Sequence, residues 1–367
     1  MPIAVPQIFK YDYVPETKEN LDWADLPTID LSKFSTPEGK FELSQTLIEA
    51  IRTKGFFYVI NYGIDQEKVD KQFSIGSNFY NLPLEEKSKY IPDLENGEYN
   101  GYRPAGRAVL SGGVKDQTEV YNIPKFDGYH DRDHPEVIKE NIKEIEEFAR
   151  SLHTNVLDPL HQLIALALEL PEDFFTNLHK YENPSEDHLR YMMYRHFNED
   201  QLKKLNENDG LYSLGHTDLG TLTLLFRQPV AALQIKDHKT GDWKWAKPLN
   251  GSLTVNTCDA LSFLTGGYIK STVHRVSVPP KDQNQFDRLG LLYFARPSND
   301  LKLSTIKSPL LIREGFTQNE FEKGEFDVPT MGEFVKLKQT WQQKKRQNYR
   351  EREDEIIAPG FKGKYHD

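Results

Sequence analysis

Residues 221–257 read TLTLLFRQPVAALQIKDHKTGDWKWAKPLNGSLTVNT. Apolar, β-prone residues come in short runs, TLTLLFR, AALQIKD, WKWAKP and SLTVNT, and turn residues rich in Gly and Pro separate them. Such runs are the pattern of strands joined by turns. The texture holds from about 187 to 297, with LRYMMYRHF before the stretch and ALSFLT, STVHRVSV and LGLLYFA after it. Eight short strands at this spacing predict a double-sheet β-barrel or jelly roll.

Outward from this core the pattern changes. Residues 136–170 carry Ile138, Ile142, Ile145, Phe148, Leu152, Val156, Leu160 and Ile164 near helical spacing, with Pro159 set to kink or divide the helix. Earlier, 24–31 alternates like a short strand, 39–53 and 65–81 read as helices, and GFFYVINYGI as a buried strand. Residues 84–130 read as a long irregular, lid-like loop. Residues 331–352 predict a closing helix with charges of both signs, a solvated packing helix.

The 367 residues carry a formal net charge of −10. The pI is about 5.6. That balance argues against a nucleic-acid partner, which needs a basic stripe. Cys258 stands alone, so no intrachain disulfide forms and a reducing, cytoplasmic setting is expected. The N-terminus lacks a signal-peptide apolar core, and no apolar run is long enough to span a membrane. Monomer is the default expectation.

Chemistry enters with His216-Thr217-Asp218 and with His274, which lies beyond 55 intervening residues. Side chains two apart on a strand share a face. Two imidazoles and one carboxylate on one face, with vacant positions opposite, form the ligand set of non-haem Fe(II) oxygenases. Taken alone the pattern also fits a capping His at a turn and a half-buried strand His. Arg288 begins the last strand, and a buried Arg needs an anion; a solvated turn Arg is the other reading. Tyr194 either donates to the same anion or packs in the core.

Taken together, these motifs resemble those of the isopenicillin N synthase-like branch of the 2-oxoglutarate/Fe(II)-dependent dioxygenases, over roughly residues 24–300. The resemblance runs through LPTIDLS, GFFYVINYGI, FYNLPLEEK, GHTDLGTLTLLF, LQIKD, LTVNTCDALSFLTGG, IKSTVHRV and DRLGLLYFARP, in order. It implies a mainly β fold with flanking helices: a distorted double-stranded β-helix core with a helical N-terminal region. It implies His216, Asp218 and His274 as iron ligands, and Arg288 with Tyr194 on the far carboxylate of 2-oxoglutarate. Four regions follow: 1–130, the N-terminal dioxygenase region; 131–186, long supporting helices; 187–300, the catalytic core; 301–367, the C-terminal segment.

The chain departs from the family in three places. The Ser expected two residues after the Arg is Gly290, the Asn-Tyr-Tyr-Pro run reads Met192-Met193-Tyr194-Arg195, and a usual Gly is Cys258. The implied activity is oxidation of an unactivated C–H bond of a small secondary metabolite by Fe(II), 2-oxoglutarate and O2, with release of succinate and CO2 and with ascorbate in support. Candidate substrate residues are Arg190, Met192 and Phe294 on the core strands, and Tyr102, Arg103 and Tyr121 in or after the loop. An inward Arg190 suits a carboxylate-bearing substrate. Arg275 reads as a surface charge, and His366 reaches a metal only if the terminus folds back. Three competing readings stand beside this one: an iron oxidase without 2-oxoglutarate, a zinc hydrolase, and a non-catalytic binding barrel.

Overall fold

The computed structural model describes residues 8–347 and 356–362, with side chains of the last helix described to 342. Twelve strands build two sheets: β1 Thr28–Asp30, β2 Phe56–Ile60, β3 Gly101–Arg103, β4 Thr118–Pro124, β5 His188–Tyr194, β6 Leu211–His216, β7 Leu222–Phe226, β8 Leu233–Lys236, β9 Trp243–Trp245, β10 Ser252–Thr257, β11 His274–Ser277 and β12 Arg288–Ala295. The major sheet has the order β1-β2-β10-β7-β12-β5-β4-β3, and the minor sheet β6-β11-β8-β9. Strands β1 to β4 thus come from the first 130 residues and extend the major sheet at both edges.

Period-2 alternation divides the major sheet into two faces. Leu224, Phe226, Leu253, Val255, Leu291 and Tyr293 join the main apolar core. That core is closed by helices Ile142–Leu152 and Asp158–Ala167 through Ile145, Phe148, Leu152, Leu160 and Ile164. The alternate residues, Thr223, Leu225, Thr254, Asn256, Gly290, Leu292 and Phe294, line a cavity of about 240 Å³ shared with β6, β8 and β11 of the minor sheet. Strand β2 reads FFYVI without alternation because helix Pro37–Thr53 and the cavity-side cluster bury both its faces.

Local sequence sets the boundaries. Thr36 caps helix Pro37–Thr53 by accepting from Gly39 N at 3.1 Å. Gly55 ends it at φ +69°, where a Cβ would also collide with Thr272 Oγ1. Between the two long core helices lies a π-type turn, His153–Leu157, immediately before Pro159. Pro lacks the N–H that a continuous helix would use there.

The structure corrects several expectations. ALSFLT is helix Asp259–Leu264, not a strand. LYSLGH, unmarked by the sequence pattern, is strand β6. The 84–130 stretch contains β3 and β4 rather than a continuous irregular loop. The closing helix is described over Met331–Gln347; its expected continuation to 352 lies outside the described residues. No described helix is long and apolar enough to cross a membrane.

Candidate active site

Strands β6 and β11 pair antiparallel with His216 directly opposite His274. Their rings lie 4.5 Å apart, centroid to centroid. Each imidazole is oriented by its own strand: Nδ1 of His216 donates to Leu214 O at 2.9 Å, and Nδ1 of His274 to Thr272 O at 3.1 Å. Because a carbonyl can only accept, Nδ1 carries the hydrogen and Nε2 keeps its lone pair. Asp218 is not on the strand but in the turn after it. Its Oδ1 is 3.8 Å from His216 Nε2, and its Oδ2 is 3.7 Å from His274 Nε2.

Thr223 Oγ1 at 2.8 Å and Asn256 Nδ2 at 2.9 Å both donate to Asp218 Oδ2. This fixes the carboxylate and leaves Oδ1 for an ion. One ligand atom from each residue lies within 4.8 Å of the other two. Burial and the neighbouring His274 push His216 down to about 4, so it is a neutral ligand near pH 7. Burial opposes ionisation of Asp218, but His274, His216 and the two hydrogen bonds outweigh it and hold the carboxyl well below its usual range. Two imidazoles whose Nε2 atoms face one carboxylate in this arrangement fit a divalent iron, whose two positive charges the single carboxylate does not neutralise. Phe56 packs edge-on to His274 at 5.4 Å and closes one side to water.

Arg288 opens β12 and sits opposite Tyr194, the last residue of β5. It is 5 % exposed. Its Nε donates to Val230 O at 3.3 Å, and its Cζ lies 5.4 Å from the Tyr194 ring centre. Among the described residues no carboxylate pairs with it, and burial lowers its pKa. A buried guanidinium that faces a cavity and has no carboxylate partner has the charge and the planar fork to receive one. Gly290, opposite Met192, offers no hydroxyl there.

The other candidates separate. Arg190, Met192, Phe294 and Arg103 line the same cavity. The Phe294 ring is itself covered, by His188 at 4.7 Å and by the Arg190 guanidinium at 4.3 Å, so it supports Arg190. Tyr102 and Tyr121 require correction. Both are buried away from the cavity, against Phe79, with hydroxyls on Glu119 Oε2 at 2.6 Å and His134 Nδ1 at 2.7 Å. They face each other across β3 and β4, so alternation turns Arg103 inward and Tyr102 outward. Arg275 points away from the ligands, bonding Gln234 and lying 4.0 Å over Trp243. Cys258 is fully buried among Thr223 and Asn256. His366 lies outside the described residues.

Sequence reasoning missed the contribution of the closing helix. Gln339 and Gln342 line the cavity, and Lys338, 3 % exposed, donates to Thr217 O at 2.9 Å and pairs with Asp259. Thr217 lies between two of the proposed ligands. The contact spans 121 residues, and the mixed charges of this helix read as a solvated face. Asn122 and Arg296 also escaped notice; both line the cavity from the edge of the major sheet and the end of β12.

Comparison with known proteins agrees with this geometry. Residues 26–147 match the family described as non-haem dioxygenase in morphine synthesis N-terminal, and residues 188–297 match the 2OG-Fe(II) oxygenase superfamily. Azadirone synthase of Melia azedarach is 30 % identical, over 72 % of this chain and 81 % of its own. The 1-aminocyclopropane-1-carboxylate oxidase of Dictyostelium discoideum is 29 % identical, over 76 % of this chain and 83 % of its own. A full-length Neurospora crassa protein solved in complex with alpha-KG superimposes with a TM-score of 0.73 at 23 % identity, over 88 % of this chain and 99 % of that one, which shows a common fold. A strand topology, an inward His/Asp/His cluster and two successive family matches converge: the chain belongs to the 2-oxoglutarate/Fe(II) oxygenases and is an oxidoreductase that works with Fe(II), 2-oxoglutarate and O2.

Proposed function

We propose that His216, Asp218 and His274 hold one Fe(II), that Arg288 and Tyr194 hold the far carboxylate of 2-oxoglutarate, and that a small molecule bearing a carboxylate occupies the rest of the cavity. The observation that carries this reading is the convergence of three ligand atoms within 4.8 Å, with both Nδ1 atoms tied to backbone carbonyls. Iron with 2-oxoglutarate and O2 supplies the oxidising equivalent, with succinate and CO2 released. The chain's own residues orient and exclude. Leu214 O and Thr272 O fix the imidazole planes; Thr223 and Asn256 fix the carboxylate. Arg288 supplies a buried positive charge where the co-substrate's second carboxylate lands, and Phe56, Leu225 and Leu233 give the cavity an apolar wall.

Met192, Arg103 and Arg190 form the substrate wall, with Phe294 behind Arg190. Placement of the substrate C–H near the metal then selects hydroxylation, desaturation or cyclisation. Ascorbate in this reading keeps the iron ferrous. The lone buried Cys258 supports a reducing, cytoplasmic setting, and we read the enzyme as a monomer acting in secondary metabolism.

Anaerobic titration with Fe(II) tests the ligand set: about one ion per chain for the native protein, and loss of binding in His274→Ala with the fold retained. Succinate formed for each O2 consumed tests the co-substrate. O2 uptake without succinate would transfer Arg288 and Tyr194 to the substrate's own carboxylate.

A further inference from the structure

Strand β5 presents two anion-directed positions on one face. Tyr194 lies beside Arg288, and Arg190 precedes it by four residues. At about 3.4 Å per residue the two backbone positions stand roughly 14 Å apart. In the reading above, on which this inference rests, the first position holds the co-substrate. The second has no assigned ligand.

Arg190 is held firmly. Its Nε donates to Asn122 Oδ1 at 2.7 Å, and Asn122 Nδ2 is tied to Tyr99 O at 2.6 Å. Its Nη2 stands 3.4 Å from His188 Nε2, and its plane lies against Phe294. The remaining edge of the guanidinium opens to the cavity. Among the described residues no carboxylate lies within ion-pair distance of it.

Two more guanidiniums line the same space. Arg103 is 3.4 Å from Asp116 and donates to Thr118 O at 3.0 Å. Arg296 donates to the Tyr99 hydroxyl at 2.6 Å, and Tyr99 in turn donates to Glu186. Each has a buried Nε with no hydrogen-bond partner. Both add positive potential at Arg190, whose pKa falls to about 10, with burial the largest cause. The acid that acts on Arg190 is Asp218, and an iron ion would engage that charge.

A cation that is fixed, partly buried, without an ion-pair partner among the described residues and open on one edge is costly unless a ligand supplies the anion. We propose that the substrate is a small organic acid whose carboxylate is gripped by the open edge of Arg190, with Arg103 and Arg296 supplying field from either side. The planar fork matches a carboxylate. Arg103 and Arg296 already give donors to Thr118 and Tyr99, so the subsite suits one flat anion better than the three oxygens of a phosphate. Met192, Val120 and Leu292 offer apolar walls to the acid's carbon skeleton.

The test uses zinc-loaded protein with 2-oxoglutarate bound, which cannot turn over. Binding of 2-oxoglutarate to the native protein is measured first; its absence would overturn the co-substrate reading and leaves the second step to decide the Arg190 subsite on its own. The complex is then titrated with benzoate and 3-phenylpropionate, each beside its neutral amide, following the melting temperature. Both acids are expected to raise it and the amides not. Arg190→Gln, its fold checked by circular dichroism, is expected to weaken the acids at least tenfold. Arg190→Lys, which keeps the charge without the fork, is expected to fall between. Equal response to acid and amide, no response to either acid, or unchanged acid affinity in Arg190→Gln overturns the proposal.

Discussion

At Gly290 a Cβ would lie 3.2 Å from Leu292 Cδ1 and 3.5 Å from the Met192 carbonyl oxygen. The tighter contact is the tip of a flexible side chain, so a serine is accommodated by a small movement of Leu292. Its hydroxyl would face the cavity near Arg288, where a hydrogen bond to a charged group is worth about 1.5–3 kcal/mol. Gly290→Ser is therefore expected to lower the KM for 2-oxoglutarate by about tenfold in a succinate assay, taking the lower figure. An unchanged or raised KM would show that the missing hydroxyl is not limiting. Arg288→Met removes the cation itself and is expected to raise the same KM by a hundredfold or more, for about 3 kcal/mol. A change confined to kcat would argue that Arg288 does not touch the co-substrate. At this scale the sequence pattern was most legible where ordered motifs coincide, at His216, Asp218, His274 and Arg288. It was least legible at β3, where neighbours Tyr102 and Arg103 point to opposite faces and composition alone cannot say which is inside.

The closing helix Met331–Gln347 shows how far an element's role can sit from its own pattern. Lys338 holds Thr217 O and Asp259, while Asp259 also accepts from Ser271 Oγ at 2.6 Å and its backbone N–H donates to Asp218 O at 2.9 Å. The turn carrying Asp218 is thus clamped from the C-terminal segment. Removing one partner of a buried ion pair costs about 3–5 kcal/mol because the other charge is stranded. Lys338→Met is expected to lower unfolding stability by that amount and to weaken Fe(II) binding. Adding Asp259→Asn removes the stranded charge, so stability should recover while metal affinity stays low. Recovery of both would reduce Lys338 to a packing residue. The errors in reading other elements have similar origins. ALSFLT is a six-residue apolar run, which periodicity cannot divide between buried strand and buried helix. Its helix is set by backbone bonds to Asp218 and Leu219, made only after the chain has folded. LYSLGH lacks a β-branched run and pairs with β11 through register shifts, so its strand character resides in the partner.

Across the whole molecule, histidine burial predicts acid lability. Six of the eleven histidines, His134, His153, His161, His179, His188 and His216, have pKa values lowered chiefly by burial. Three cluster behind the major sheet, where the His161 and His179 rings lie tilted with centroids 4.0 Å apart and both ring nitrogens of His161 lack a partner. The unfolded chain takes up these protons near pH 6.5, whereas the folded chain resists until about 4 or below. The unfolded state therefore binds more protons in that window, and stability falls as pH falls. Asp158 and Asp187 act in the opposite sense, because burial raises both to about 6 and the folded state protonates them first. Six histidines against two carboxyls leave about four protons, each worth about 1.4 kcal/mol per pH unit, an upper limit of about 5 kcal/mol per unit. Urea unfolding of the metal-free protein is expected to show stability holding above pH 7 and dropping steeply between pH 6 and 5. His161→Leu removes a titrating group that makes no hydrogen bond and should flatten the slope by about one proton. A flat profile between pH 7 and 5 would mean that these imidazoles titrate in the folded protein much as they do in water.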